Sequence, residues 1–417
     1  MLAGLVAAAW SAGPVAAEDE FWGLPIPHQG EPPAEIVELT KSLNAGVCGL
    51  CHVRRYEEWR GSLHARAVGP GLLGQLPPMG VDEAADCLTC HAPREEQQER
   101  ILFGSSQPEP ESVIAALAFL AQAPPVHGGV DCAGCHVRAH RRYGPNDKPL
   151  TPHGPVTALA RFGQSDFCAP CHQFPEGVGE LAGKPLQNTH QEWAVSRQAA
   201  EGIGCQDCHM PGGSHAFRGI HDPEMTRRAL RIDLTRTAHG VGLTVTNTGA
   251  GHAVPTYATP RIRMQVQPQD DPPKRIERLI ARTLVLDPDR GLIERADTRL
   301  MPDESVTLQL SLSETQAATA RILVEPDAFY HDVVYPHLLG ELARGEHRER
   351  RLLQLALTES GASPYVLYEA DCGAWAGEET TCRSHPTRLG QAGNPAPLPP
   401  RGAAGSDRPL RGAEPED

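Results

Sequence analysis

The sequence predicts an α+β chain: a mainly helical and irregular first half, then an antiparallel β-sandwich-like module, then a C-terminal helix. Three observations predict it. Cys-x-x-Cys-His occurs five times, at Cys48–His52, Cys87–His91, Cys132–His136, Cys168–His172 and Cys205–His209. From about Ile232 to Pro326, apolar and polar residues alternate in short runs separated by Gly, Pro, Asn and Asp, the pattern of half-buried strands. From His337 to Leu357, leucines recur at helical spacing with Arg and Glu between them.

The five segments are the signature of covalent c-type haem attachment. Two thiols at that spacing add to the two vinyl groups of one porphyrin, and the histidine straight after the second cysteine reaches the iron as proximal ligand. Zinc sites and redox motifs also use Cys-x-x-Cys, but five copies with His in every fifth place argue against both. Cys48, Cys51, Cys87, Cys90, Cys132, Cys135, Cys168, Cys171, Cys205 and Cys208 are therefore read as binding five haem c groups. His52, His91, His136, His172 and His209 are read as ligands to the irons. This makes residues 18–231 a pentahaem cytochrome c domain, with one short helix and one loop per haem. Aromatic residues are only 5% of the 417, and five buried macrocycles would supply the missing apolar bulk.

A short echo runs through this region. Glu58-Trp59-Arg-Gly-Ser62 follows the first segment and Glu192-Trp193-Ala-Val-Ser196 precedes the last. It reads either as a shared local design or as two independent helix turns.

Beyond the helical half, Gly242–Thr248, Arg261–Val266, Leu284–Leu286, Ser305–Leu312 and Ala320–Val324 are the expected strands of a module over 232–330. A helical extension is expected over 331–385 and a disordered Pro, Gly, Ala and Arg tail over 386–417. Ten of the twelve cysteines belong to the attachment segments, leaving Cys372 and Cys382. In an exported protein that pair forms a disulfide; two free thiols or part of another site is the other reading.

Residues 1–17 read as a signal peptide, an apolar stretch closing with Val15-Ala16-Ala17 before Glu18-Asp19. Its charged n-region is missing, so either the true start lies upstream or export is unusual; the first is favoured. The stretch is too short and too rich in Ala, Gly and Pro to span a bilayer well. Haem attachment to cysteine pairs takes place on the exported side of the bacterial membrane, so a periplasmic or exported location is expected. The net charge of −14 argues against a nucleic-acid partner and favours basic redox partner proteins.

Each iron has a second face. Electron carriers fill it with His or Met, whereas an enzyme leaves one face open. Methionines number six, and Met210 adjoins His209, so bis-His ligation at low potential is the default. Nineteen histidines are present, five of them in the motifs. From spacing, His64, His153, His215 and His221 are candidates, each either a ligand or a surface or propionate-binding histidine. His28, His127, His140, His190 and His239 rank below them. His331, His337, His347 and His385 read as surface residues.

At these residues the chain resembles the cytochrome c-554 family of multihaem cytochromes. Cys48-x-x-Cys51-His52 followed by Trp59-x-x-Ser62-x-His64 resembles that family's opening haem segment. Cys205-x-x-Cys208-His209-Met210-Pro211 with His215-x-Phe217-x-Gly219 is similar to the last haem segment of related proteins. Gly251-His252-Ala-Val-Pro255-Thr256 resembles a Gly-His-x-x-Pro-Thr motif of β-modules appended to such cytochromes.

The resemblance covers about residues 46–263 and implies stacked haems for multi-electron transfer, with distal histidines supplied from other haem segments. It raises His64, His215, His221 and His153 as ligands, and adds His252, which either caps a haem or bonds within its own turn. The family's namesake has four haems and lacks the long C-terminal extension, so ligand pairing does not transfer.

Two functions follow as expectations. The first is electron transfer through closely packed haems, with no catalytic residue, and with the β-module as the surface for docking to a membrane-associated electron-transfer complex. The second is a multihaem oxidoreductase acting on a small nitrogen or sulfur compound at one five-coordinate haem. The Cys-x-x-Cys-Lys attachment of the usual nitrite reductases is absent. A third role, as a subunit docked in an outer-membrane or filamentous conduit, is compatible with the first.

Overall fold

On an α-helix, residues i, i+3 and i+4 share a face, so Cys-x-x-Cys-His written on one turn points all three side chains the same way. In the computed structural model, which describes residues 21–103, 129–342, 347–377, 380 and 382–385, every such segment lies on a helix or at its end. These helices are Ala45–Cys51, Val81–His91, Cys132–His136, Ala169–His172 and Cys205–His209. Caps start three of them just ahead of the cysteines. Asn44 accepts from the Gly46 amide at 2.7 Å and Asp131 from the Gly134 amide at 2.8 Å, while Asp207 reaches back to the Gly204 amide at 2.8 Å. The expected leader over 1–17, the tail over 386–417 and His127 lie outside the described residues.

Between the attachment helices the described chain forms short helices, among them Val53–Arg60, Pro70–Gln75, Glu95–Phe103 and Thr189–Ala194, joined by loops and short strands. β1 (Val137–Arg138), β2 (Arg141–Gly144) and β3 (Val156–Ala158) make a small sheet, and β4 (Glu180–Leu181) and β5 (Lys184–Pro185) a hairpin. A buried ion pair, Arg94 to Asp131 at 2.6 Å, ties the helix after the second segment to the start of the third.

The second half is antiparallel. Its strands are β6 (Leu230–Thr237), β7 (Gly240–Asn247), β8 (Arg261–Pro268), β9 (Ile276–Ile280), β10 (Arg282–Asp287) and β11 (Gly291–Asp297). They continue with β12 (Ser305–Ser311), β13 (Ala318–Glu325), β14 (Tyr365–Cys372) and β15 (Cys382–Ser384). One sheet runs β12-β7-β6 and another β15-β14-β13-β8-β9, while β10 and β11 pair as a hairpin. Burial alternates residue by residue along β8 and β13, as the strand period requires. Val241, Leu243 and Val245 of the first sheet share one core with Ile262, Met264, Val266, Ile322 and Val324 of the second. Each such side chain contributes about 1.5–3 kcal/mol on burial, which holds the two faces together.

The chain is thus α+β with a β-rich C-terminal region, and the expected strands fall on β7, β8, β10, β12 and β13. The C-terminal segment departs from expectation. In place of one helix over His337–Leu357 there are two, Tyr335–Glu341 and His347–Gly361, the first ending where Leu342 turns extended. Beyond them, β14 returns to pair with β13, so the stretch read as a helical extension supplies a strand inside the sheet. The alternation of Tyr365–Cys372 was present in the sequence, but it follows directly on the helical pattern that masks it. Cys372 and Cys382 face each other across β14 and β15 and form a disulfide, Cα–Cα 4.1 Å. The helix His347–Gly361 packs on Pro70–Gln75 so closely that a Cβ on Gly74 would come within 2.8 Å of the Leu353 side chain. Among the described residues no helix is long and apolar enough to cross a membrane.

Candidate functional site: facing imidazoles at the attachment helices

Four of the five motif histidines face a second imidazole. His52 stacks toward His153 with ring centroids 6.3 Å apart, His136 toward His215 at 6.2 Å and His209 toward His252 at 6.3 Å. His172 faces His64 at 6.1 Å with the rings tilted by 58°. The partners come from four different places. His64 follows the first attachment helix, His153 lies in the loop before β3, His215 follows the last attachment helix, and His252 sits in the connection from β7 to β8.

That connection is held by hydrogen bonds from a buried side chain. Asn247, fully buried at the end of β7, donates from Nδ2 to the His252 carbonyl at 2.8 Å and to the Leu300 carbonyl at 3.0 Å. The adjoining Val254 bridges to Leu300.

The protons on these rings can be assigned. Nδ1 contacts a backbone carbonyl in His91 (Ala67, 2.8 Å), His136 (Tyr143, 2.8 Å), His209 (Arg218, 2.6 Å), His215 (Gly213, 3.0 Å) and His252 (Ala253, 2.8 Å). A carbonyl only accepts, so each Nδ1 carries the proton and Nε2 presents a bare lone pair. In His153 the Nδ1 partner is the Thr151 hydroxyl at 2.7 Å, which itself donates to the Gly154 carbonyl. Burial pushes His64 down to about 3 and His136, His172 and His252 to about 4. It lowers His91, His153 and His215 as well. Neutral imidazoles with a free Nε2 are what a metal requires.

The separations test the haem reading. Two metal–nitrogen bonds of about 2 Å and the half-widths of two rings place the centroids about 6 Å apart, which is the spacing observed. Among the described residues, no three or more His, Cys, Asp or Glu side chains converge on one point; the imidazoles meet in twos. Two facing imidazole nitrogens would suit an iron whose other positions a porphyrin fills. Thiols of different segments touch: Cys48 with Cys132, Cys90 with Cys171, and Cys168 with Cys205.

The remaining motif histidine, His91 of the second segment, differs. Among the described residues no imidazole faces His91. Near its Cys87 lies the half-buried Tyr330, its phenol raised first by burial and then by the Cys87 thiol and the Asp327 carboxylate. Tyr257, raised by burial, neighbours Asp327 and Tyr330.

His221, a ligand candidate from its spacing, is placed here instead. Its Nε2 lies 3.1 Å from both Asp327 oxygens, and its buried Nδ1 has no hydrogen-bond partner among the described residues. His28, His140 and His190 are held by Glu99, the Gly30 carbonyl and Asp166. His331, read as a surface residue, sits half-buried against Ser360 and the Leu357 carbonyl. Asp327, Tyr257 and Tyr330 carried no sequence signal; only their convergence in space groups them.

No protein-family model matches the chain, and no curated protein matches it by sequence. Among solved structures it is similar to a penta-heme cytochrome c552 from Thermochromatium tepidum, at 17% identity and a TM-score of 0.46, covering 78% of this chain and 97% of that one.

Proposed function

We propose that the chain is an exported multihaem c-type cytochrome that transfers electrons through five covalently bound haems, four of them bis-His ligated. The observation that carries this reading is the set of four facing imidazole pairs at 6.1–6.3 Å, each joining one attachment segment to a histidine from elsewhere. When bound, haem iron cycles between two oxidation states one electron at a time. The chain's part is to hold two neutral imidazoles in place, so that neither ligand leaves as the charge changes, and to crowd the attachment cysteines together. Crowded cysteines put neighbouring macrocycle edges close, which favours electron passage. The partners are redox proteins, and the acidic surface favours basic ones. Cysteine-pair attachment of haem favours a periplasmic or otherwise exported location, and the β-module is a candidate surface for docking to a membrane-associated complex.

The test is the haem content and the EPR spectrum of the oxidised protein expressed with export and haem attachment intact. Five haems per chain with at least four low-spin signals support the reading. A protein carrying no covalent haem overturns it.

His91 favours a second reading, an oxidoreductase acting on a small nitrogen or sulfur compound at the haem of Cys87 and Cys90. The His221–Asp327 pair and the Tyr330 phenol would then supply protons near that haem. One high-spin signal per chain that shifts with nitrite or hydroxylamine supports this reading; low-spin signals from all five haems exclude it.

A further inference from the structure

The two Glu-Trp-x-x-Ser segments, Glu58–Ser62 and Glu192–Ser196, are used alike. The Trp59 indole N–H donates to the Val130 carbonyl at 2.8 Å, and the Trp193 indole N–H to the Ile203 carbonyl at 2.9 Å. Val130 and Ile203 each lie two residues ahead of an attachment cysteine, Cys132 and Cys205. Their own amides donate back, Val130 to the His64 carbonyl and Ile203 to the Gln198 carbonyl, both at 2.9 Å. His64 and Gln198 both lie two residues past the serine. The Ser62 and Ser196 amides donate to the tryptophan carbonyls at 2.8 Å in both copies. The serine hydroxyls accept from the Ala65 amide at 3.3 Å and the Ala199 amide at 3.2 Å. Independent helix turns have no reason to share all of these bonds.

The carboxylates complete the parallel. Glu58 Oε2 accepts the backbone N–H of His215 at 2.8 Å, and the His215 ring faces His136, in the segment gripped by Trp59. Glu192 Oε2 accepts the backbone N–H of Ala253 at 3.0 Å, beside His252, whose ring faces His209 in the segment gripped by Trp193. In each copy the tryptophan holds the approach to an attachment helix, and the glutamate holds the backbone carrying the opposite imidazole.

We infer that the two segments are a duplicated clamp that sets the separation and orientation of the imidazoles across the third and fifth haem positions, with Glu58 and Glu192 as positioning residues. The inference rests on the haem reading above. His215 and His252 sit in irregular backbone, far in sequence from the rings they face, so something outside regular structure must fix them. A carboxylate–amide bond is charge-assisted and directional, stronger than a neutral one. Glu192 is itself fixed, buried and bonded to Arg299 at 3.1 Å and to the Thr256 hydroxyl at 3.2 Å. Glu58 is steadied by Arg55 at 3.1 Å.

The test uses the full chain with its haems attached. Variants Glu58→Ala, Glu58→Gln, Glu192→Ala and Glu192→Gln are compared by EPR and by spectroelectrochemical titration. Glu58→Ala is expected to shift the g-values and potential of one low-spin haem, the one that His215→Ala turns high-spin. Glu192→Ala is expected to shift a different one, the one that His252→Ala turns high-spin. Glutamine, which keeps an acceptor oxygen, should restore the original signal at either position. If Glu192→Ala does not fold because Arg299 is left unpaired, the Glu58 variants decide. Unchanged g-values and potentials in Glu58→Ala with five haems bound overturn the clamp. A chain without haem overturns instead the reading on which it rests.

Discussion

The ring of His252, in a connection between two β-strands, lies 6.3 Å from the ring of His209 and within 15° of parallel to it. The β-module therefore reaches into the space of the last attachment helix. Replacing His252 by glycine should turn one ferric haem from low-spin to high-spin in the EPR spectrum, and added imidazole should restore it. His221→Ala should leave the low-spin signals intact, because its Nε2 is held by Asp327. A high-spin conversion in His221→Ala and none in His252→Gly would reverse the assignment.

The disulfide closes a short loop, with Cys372 and Cys382 ten residues apart. Restricting the unfolded chain over a loop of that length stabilises by about 2–3 kcal/mol. Denaturant unfolding of the oxidised parent chain beside the Cys372→Ala/Cys382→Ala variant isolates this bond without a thiol reductant, which would also reduce the iron. The variant should unfold early by about that margin, and coincident curves would show that the bond adds nothing.

Arg282, at the start of β10, has a fully buried side chain. It bonds Glu294 at 2.7 Å and the carbonyls of Pro185, Leu181 and Lys184 at 2.6, 2.8 and 3.2 Å, so it pins the β4–β5 hairpin to the β-module. Arg282→Ala strands a carboxylate and three acceptors and should cost about 3–5 kcal/mol. Arg282→Lys keeps the charge but loses the planar fork, and should fall between the two. Urea unfolding gives the loss, and limited proteolysis should show new cutting in the hairpin. Wild-type resistance in Arg282→Ala would contradict the pinning role.

Burial alone would raise the carboxyl of Asp297. A two-bond pairing from Arg299 at 2.9 Å and a bond from Lys184 at 2.7 Å hold it well below the usual range instead. A carboxylate lowered in the folded state stabilises fully above its unfolded value of about 3.9, and that stability drains away as pH falls below it. Asp297→Asn should therefore lose about 0.5–1 kcal/mol at pH 7, since solvent screens this part-exposed cluster, with the gap to the parent closing as the pH drops below about 4. A gap independent of pH would show that Asp297 is not the group responsible.

What the sequence by itself determined is local. Cys-x-x-Cys-His written on one helical turn shows which side chains share a face, because the i, i+3 and i+4 spacing needs no partner. The strands β7, β8, β12 and β13 were legible because alternation at period two is a property of each strand alone. By contrast, β14 lay hidden behind a helical pattern, since its burial comes from β13, β15 and the core shared by the sheets. The pairing of the imidazoles was not legible at all. His215 and His221 stand six residues apart in one loop with equal claims by spacing; only the folded chain turns one toward His136 and the other onto Asp327. The Glu-Trp echo was visible as letters, but its meaning lay in bonds from Glu58 to His215 and from Glu192 to Ala253. Contacts between residues distant in the chain are set by how helices and sheets close on one another, and no local spacing records that closure.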